Sequence, residues 1–287
     1  MKITVHDSNS PLGFATKGGS SWEIWDRFIT IEGKDAYHIG NICGTCSFFF
    51  QRCDGANQSL NPRELQDQLT TGLTGLTGAQ ATALSELLPD GDYEATLLHR
   101  IPRLVTPGDT DDYFCREQPA LWGTDGFWGG LPHNPRTKYY RGADKPLGHG
   151  AHLYEFLIPM FPDSWCDAKR VAEFEGHLQE GRHPTALAIS VLDIKQPADW
   201  DGHPSVTSHW CLAHYIIDGH HKILAASRSK RPVGLLSILA LDRGVSSAQE
   251  HAKLIAAQKV EPCGAADLSQ PVESEANRTL PAAGSGG

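Results

Sequence analysis

In the C-terminal half of the chain, apolar residues recur at regular intervals, and the pattern predicts six consecutive elements. Asp167 is a suitable N-cap for a helix that carries Val171, Phe174 and Leu178 on one face and ends at Gly181. Apolar runs after Gly181 predict three strands, and turn residues between them predict two further helices. The predicted order is helix, strand, strand, helix, strand, helix, with approximate bounds 167–180, 185–193, 210–217, 220–229, 232–241 and 248–258.

The N-terminal half carries weaker patterns. Alternating apolar residues over 28–39, with Gly33 at the turn, predict a β-hairpin. An Asn-Pro pair at the start of 61–68 predicts a short helix there, and a second helix is expected over 78–88. Residues 106–150 are crowded with Gly, Pro, Asp and aromatic residues, which indicates long ordered loops.

Composition divides the chain into unlike parts. It has 287 residues, 40% of them hydrophobic, which is enough for two domains of ordinary size. The 10 Phe, 7 Trp and 7 Tyr residues all precede Ile216, so aromatic recognition must come from the earlier sequence. From Val260 onward small and polar residues dominate. We expect an α+β protein with a mixed, partly β N-terminal module with long loops (1–165), a C-terminal module (166–258) and a disordered tail (259–287).

The charge balance narrows the classes of partner. Lys and Arg number 25 against 34 Asp and Glu, for a net charge of −9, which argues against nucleic-acid binding because such binding depends on basic residues. No apolar run reaches the ~18 to 20 residues of a membrane span, and the N-terminus lacks the basic-then-apolar pattern of a secretory signal. We therefore expect a soluble, cytoplasmic protein that acts on a small molecule.

The most informative segment is 217–226, Ile-Asp-Gly-His-His-Lys-Ile-Leu-Ala-Ala, where a predicted strand turns into a predicted helix. The first N–H groups of a helix lack partners within it, and the helix dipole adds partial positive charge there. Gly219 lets an anion approach the backbone, and His220, His221 and Lys222 supply side-chain donors. The segment predicts a phosphate site. A tight turn with solvated polar residues is the alternative.

With these residues, the segment from about Asp167 to Leu241 resembles the ParB/sulfiredoxin-like superfamily, over about a quarter of the chain. The shared features are the helix before Gly181, the apolar strand after Pro184-Thr185, the Asp-Gly-His-His-Lys turn with its Ala-Ala helix, and Arg-Pro-Val before the last strand. Members carry a glycine followed by a His-Arg or Arg-Arg pair at this turn, and the pair holds the phosphates of ATP, ADP or CTP.

The resemblance implies phosphate binding by Gly219, His221 and Lys222, with Lys222 in place of the usual arginine. His220 stands where sulfiredoxins carry their catalytic cysteine, and too little chain follows Leu241 for the DNA-binding domain of ParB. Other members of the superfamily are kinases that phosphorylate free serine. We therefore predict a nucleotide-binding phosphotransferase that acts on a small hydroxyl-bearing molecule.

In such an enzyme Asp218 is the nearest carboxylate to accept the hydroxyl proton, and His220 is a candidate acid or base. Mg²⁺ would accompany the nucleotide. The simpler interpretations are a helix-capping aspartate and a histidine that only bonds phosphate or water. A regulator that binds nucleotide without chemistry is the alternative function.

Tyr140 and Arg141 form a second candidate. An exposed arginine flanked by tyrosines is able to bind an anion, so we predict a substrate contact here. Packing around a β-sheet is the alternative.

Cysteines supply the third candidate. Cys43 and Cys46 form a Cys-x-x-Cys pair, and His38 or Cys53 would complete a tetrahedral zinc site. A redox pair is the second interpretation, with the pKa of Cys43 lowered at the start of a helix. Small buried residues beside the Phe run at 48–50 are the third. Nothing in the sequence separates the three.

Overall fold

Two β-sheets and six α-helices make up the part of the chain that the computed structural model describes, which is residues 1–19, 22–58, 60, 62–122, 135, 137–197 and 205–259. The predicted α+β class is confirmed. The strands are β1 (Lys2–Val5), β2 (Leu12–Gly19), β3 (Trp22–Ile31), β4 (Lys34–Asn41), β5 (Gln51–Arg52), β6 (Gly91–Arg100), β7 (Arg103–Val105), β8 (Tyr139–Gly148), β9 (Ala151–Ile158), β10 (Thr185–Lys195), β11 (Ser208–Asp218) and β12 (Val233–Ala240). The helices are α1 (Gln66–Thr71), α2 (Gly78–Ser85), α3 (Glu117–Trp122), α4 (Ala168–Gln179), α5 (His220–Ser229) and α6 (Ala248–Lys259).

The large sheet has eight strands in the order β1-β6-β12-β10-β11-β9-β8-β7, and the small sheet has the order β2-β3-β4-β5. At the centre of the large sheet, β10 pairs antiparallel with β11 and parallel with β12. The chain passes from β6, near one edge, to β7, at the other edge, through only Ile101 and Pro102. The large sheet therefore curls back on itself, around α5.

Alternation along β10 sorts its side chains between two cores, because successive residues of a strand point to opposite faces. Leu187, Ile189 and Val191 join the core between the two sheets, whereas Ala186 and Ala188 face α4 and α5. Both faces are covered, which explains the near-continuous apolar run of this strand. The small residues on the helix side let α5 approach the sheet closely.

The helices cover the second face of the large sheet in two places. Val171, Phe174 and Leu178 of α4 are buried there, as the sequence predicted, together with the apolar side of α5. Farther along the same face, Leu254 of α6 packs against Leu212 and its neighbours. No helix in the described ranges is long and apolar enough to cross a membrane.

Aromatic residues fill the core between the two sheets. A buried ion pair also connects the small sheet to the large one. The buried rings include those of Phe48, Phe50, Tyr113, Phe114, Tyr139 and Phe156. Arg27 on β3 donates to both carboxylate oxygens of Asp193 on β10, at 3.0 and 2.6 Å, and Lys195 lies 3.7 Å from the same carboxylate. All three side chains are buried.

The six predicted C-terminal elements all occur, in the predicted order, and the hairpin around Gly33 is β3 and β4. The expectation of long loops over 106–150 was wrong for part of that range, because it contains α3 and the ten-residue strand β8. The loop segment 123–133, Asn61 and nearly all of the predicted tail lie outside the described residues.

The predicted boundary at residue 165 does not separate two sheets. Strands β1, β6, β7, β8 and β9 precede it, and β10, β11 and β12 follow it, yet all eight belong to one sheet. The reason is long-range pairing: β12 inserts between β6 and β10, and β11 lies beside β9.

Candidate functional site

A cleft of about 360 Å³ opens at the predicted phosphate turn. Three parts of the chain line it: the end of β11 with the start of α5, the segment 160–174 that leads into and includes the first turns of α4, and residues of the N-terminal half between 56 and 66. The lining residues are Ala56, Asn57, Gln58, Leu60, Gln66, Met160, Phe161, Trp165, Arg170, Phe174, Ile217, Asp218, Gly219, His220, His221 and Lys222. The volume is within the range of small-molecule sites, about 300 to 1,000 Å³.

Gly219 forms the corner between β11 and α5. Its backbone is left-handed, with φ of +99°, and it occupies the N-cap position of the helix. A Cβ built at this position would lie 2.7 Å from the Cβ and 2.8 Å from the Cα of Ala186 on β10. Only glycine satisfies both the backbone angle and the close approach of the neighbouring strand.

The first turn of α5 presents free backbone donors to the cleft. The first bond within the helix runs from Ile223 N–H to Gly219 O at 2.9 Å, so the earlier N–H groups have no partner inside the helix. Gly219 provides no side-chain cap. The turn therefore has the donor geometry and the partial positive charge that attract a phosphate.

Lys222 lines the cleft, but its side chain is almost entirely buried. It is 3% exposed, and its Nζ donates to Thr185 O at 2.9 Å and to Asp218 Oδ2 at 3.0 Å. Burial lowers the pKa of Lys222, and the Asp218 carboxylate opposes that shift. Its charge is therefore already paired with Asp218, which is half-buried and lines the cleft.

His220 is buried and lines the cleft. Its Nε2 accepts a hydrogen bond from Met160 N–H at 2.9 Å, and its ring stacks on Phe161 with centroids 3.9 Å apart. Burial lowers the pKa of His220 to about 3, so the ring is neutral at physiological pH and carries its proton on Nδ1. Its occupied Nε2 is not free to take a proton from a substrate.

His221 connects α5 to the start of α4. Its Nε2 accepts a hydrogen bond from Asp167 N–H at 3.0 Å, and the ring is half-buried. Burial lowers the pKa of His221, and the nearby Arg170 guanidinium acts in the same direction. The neutral ring keeps a second N–H as a donor.

Arg170 is the cleft residue that the sequence analysis missed. It is exposed on the first turn of α4, and within the described ranges it forms no ion pair with a carboxylate. Its proximity lowers the pKa of both His221 and Lys222. A guanidinium offers a planar fork of N–H donors that matches phosphate oxygens, so Arg170 is a candidate anion-binding group in the cleft.

The expectation of an exposed arginine at position 141 was wrong. Arg141 is 2% exposed, and it donates to Glu117 Oε1 at 2.6 Å and to the Asp144 carboxylate. Tyr140 is also buried, in the core that contains α4 and α5. Both carboxylates balance the guanidinium charge, which leaves no free cation at this position for a substrate.

Cys43 and Cys46 form a disulfide. The expected helix start is absent, because this stretch of the described chain is a bend, so the helix dipole does not act on Cys43. The surrounding loop is held by two buried donors: Lys195 Nζ bonds Cys43 O at 2.7 Å, and Trp122 Nε1 bonds Thr45 O at 3.1 Å. Cys43 is half-buried and Cys46 is buried.

The other two predicted zinc ligands have different partners. His38 Nε2 lies 3.0 Å from Asp26 Oδ1, and its ring stacks on Phe28. The thiol of Cys53 lies 3.7 Å from Gln51 O. No group of three or more metal-ligating side chains occurs among the described residues, so the structure does not bring the four predicted ligands together.

No protein-family model, curated protein or solved structure matches the chain.

Proposed function

We propose that the cleft binds the phosphates of a nucleotide at the start of α5, and that the protein transfers the terminal phosphoryl group to a small hydroxyl-bearing molecule. The observation that carries the proposal is the meeting of two anion-binding features in one cleft. The first is the uncapped helix start at Gly219. The second is the guanidinium of Arg170, which forms no ion pair with any described carboxylate.

The ParB/sulfiredoxin-like resemblance of the segment from Asp167 to Leu241 stays a prediction. ATP, ADP and CTP are the ligands that the resemblance suggests. The phosphate role passes from the side chain of Lys222 to the backbone N–H groups of the first turn and to Arg170, because Lys222 is committed to Asp218 and Thr185 O.

Asp218 is the one carboxylate among the described residues that line the cleft. In the proposed reaction, the substrate hydroxyl oxygen attacks the terminal phosphorus, the bond to the leaving diphosphate breaks, and the Asp218 carboxylate accepts the hydroxyl proton. The bond from Lys222 orients this carboxylate. Mg²⁺ is held mainly by phosphates and water with one or two carboxylates, so Asp218 is also its candidate protein ligand among the described residues of the cleft.

Calorimetric titration with ATP, ADP and CTP tests the binding step. Arg170→Ala is expected to weaken nucleotide binding about tenfold or more, since a hydrogen bond to a charged group contributes about 1.5 to 3 kcal/mol. Lys169→Ala is the matched control, because it removes an equal charge from the adjacent exposed residue, outside the cleft. If no nucleotide binds, or if both variants bind as the wild type does, the proposal is wrong.

Phosphate transfer from labelled nucleotide to a panel of amino acids and alcohols tests the chemical step. Asp218→Asn keeps an acceptor for Lys222 but cannot take a proton. We expect turnover to fall at least about 100-fold while nucleotide affinity changes little. Binding without transfer to any acceptor would instead favour a nucleotide-responsive regulator. A regulator needs no general base, and it is consistent with an Asp218 carboxylate paired with Lys222 and a His220 Nε2 that already accepts a hydrogen bond.

Thiol–disulfide exchange at Cys43 and Cys46 is a second candidate function. The specific observation is a formed disulfide with one half-buried and one buried sulfur, the arrangement in which an incoming thiolate reaches Cys43 first. A dithiol reductant would form a mixed disulfide with Cys43, release Cys46 as a thiolate and then leave as its own disulfide, which transfers two electrons.

Alkylation mapped by mass spectrometry tests this exchange. Before reduction, label is expected on the exposed Cys115 but not on Cys43 or Cys46, and after a dithiol both should react. Labelling of Cys43 in protein that was never reduced would count against a standing disulfide.

A further inference from the structure

Trp165 is the most exposed large apolar side chain among the described residues, and it lines the cleft of the proposed phosphate site. Its exposure is 61%. It ends a 3₁₀ turn, Asp163–Trp165, that immediately precedes α4. A large apolar surface left open at the rim of a concave site is typical of a ligand contact.

The neighbouring rings make this wall flat and aromatic. Phe161 lies nearly parallel to Trp165, with centroids 6.4 Å apart and planes 19° apart, and it stacks in turn on His220. The Arg52 guanidinium lies 5.9 Å from the Trp165 ring, but it is already bonded to Met160 O and to Asn57 Oδ1. The indole is therefore supported on a fixed wall while much of its surface stays open.

The part of the cleft formed by the N-terminal half offers neutral polar groups. Gln58 and Gln66 line the cleft there, both are half-buried, and neither amide has a hydrogen-bond partner within the described ranges. An amide presents one donor and one acceptor side by side. That pattern matches the amino group and ring nitrogen of adenine, whereas guanine is matched by a free guanidinium or ammonium. The free guanidinium in the cleft, Arg170, is assigned to phosphate.

We infer that Trp165 stacks on the base of an adenine nucleotide whose edge is recognised by Gln58 and Gln66. The inference rests on the proposed phosphate binding at α5, since it names the part of the ligand that extends from the phosphates. It also fits the aromatic distribution of the chain: the turn at Gly219 follows the last aromatic residue, so a stacking ring must come from earlier sequence. A two-ring base covers more of the indole than a pyrimidine does, which favours adenine over cytosine.

Calorimetric titrations of the full chain with ATP, GTP, CTP and inorganic tripolyphosphate test the inference. Tripolyphosphate carries the phosphate contacts without a base. For the wild type we expect ATP to bind more tightly than GTP, CTP and tripolyphosphate. Trp165→Ala should weaken ATP binding about 5- to 150-fold and leave tripolyphosphate binding unchanged. Trp165→Phe, which keeps a ring, should retain most of the ATP affinity.

Ile101→Ala is a control for the loss of an exposed apolar side chain outside the cleft, and it should not change ATP binding. If ATP and tripolyphosphate bind equally well, or Trp165→Ala leaves ATP binding intact, the stacking inference fails and the phosphate proposal stands. Tighter binding of GTP or CTP than of ATP overturns the choice of adenine. If neither ATP nor tripolyphosphate binds, the phosphate proposal fails, and the inference fails with it.

Discussion

Gly219 shows, at the scale of one residue, how much local sequence reveals. Asp-Gly before a helix was enough to predict a turn where backbone N–H groups are open to an anion. The structure adds a second reason for the glycine, since Ala186 of the adjacent strand leaves no room for a Cβ. That contact joins residues far apart in the chain, and no local pattern encodes it.

Gly219→Ala is expected to destabilise the protein by more than the ~1 to 2 kcal/mol of a left-handed backbone alone, because the new Cβ also collides with Ala186. Gly33→Ala is the matched control: its φ is +74°, but nothing lies within 4 Å of the added Cβ. Chemical denaturation of both variants measures the difference. Equal losses would show that the contact with β10 relaxes freely.

The positions of the cationic side chains at the site could not be predicted from the sequence. The donor-rich turn was found from its sequence, and its residues do line one cleft. The sequence could not show that Lys222 is buried and paired with Asp218, or that Arg170 comes to the same cleft from another helix. Arg170 reaches the cleft because α4 packs beside α5, and the burial of Lys222 depends on Thr185 O of the neighbouring strand. The expectation for Arg141 failed because Glu117, on α3, reaches its guanidinium only through tertiary placement.

At the scale of elements, burial explains which strands were predictable. β10 and β11 are covered on both faces, so their apolar runs are long and clear. β8 contains Asp144, Lys145 and Pro146, the composition of a loop, and was missed. β7 pairs only with the first three residues of β8, so the rest of that side is an open edge in the described chain, where proline and charge are tolerated.

The ion pair between the sheets gives a prediction at this scale. Asp193→Ala is expected to cost about 3 to 5 kcal/mol, because it leaves Arg27 and Lys195 as buried cations without their carboxylate. Arg27→Met should cost less, since Asp193 keeps Lys195 and the Val245 N–H. Urea denaturation of the two variants measures both free energies of unfolding.

A double variant, Arg27→Met with Asp193→Ala, serves as the control for this pair. It should lose less than the sum of the two single losses, because residues in one network are not additive. A larger loss for Arg27→Met than for Asp193→Ala would contradict the role assigned to Lys195.

At the scale of the whole molecule, pairings across the chain decide the architecture. The N-terminal strand β1 pairs with β6, and β6 pairs with β12, so both ends of the chain contribute to one sheet. The pattern of residues within a strand predicts that the strand pairs, but not which strand is its partner. The sequence therefore predicted the elements of the C-terminal half, but not that they share one sheet with strands of the N-terminal half. One cooperative unfolding transition is therefore the expected behaviour.

The buried histidines give this unfolding transition a pH dependence. Burial lowers the pKa of both His209 and His220 to about 3, whereas in an unfolded chain histidine titrates near 6.5. Above about pH 7.5 both rings are largely neutral in either state. Between about pH 6.5 and 3 the unfolded chain binds protons that the folded chain does not, so the free energy of unfolding falls by at most about 1.4 kcal/mol per pH unit for each ring.

Denaturant unfolding at a series of pH values from 8 to 5 measures this dependence. We expect a plateau above about pH 7.5 and a steady decline below about pH 6.5. Carboxylate protonation does not explain a decline at these pH values, since Asp193 has its pKa lowered by Arg27 and Lys195 despite its burial. His220→Gln and His209→Gln should each make the decline shallower, even where they reduce stability at pH 8, because glutamine does not titrate. His6→Gln, at an exposed position, should leave the decline unchanged. A decline that is equally steep in all three variants would show that protonation of these two buried rings does not limit stability in acid.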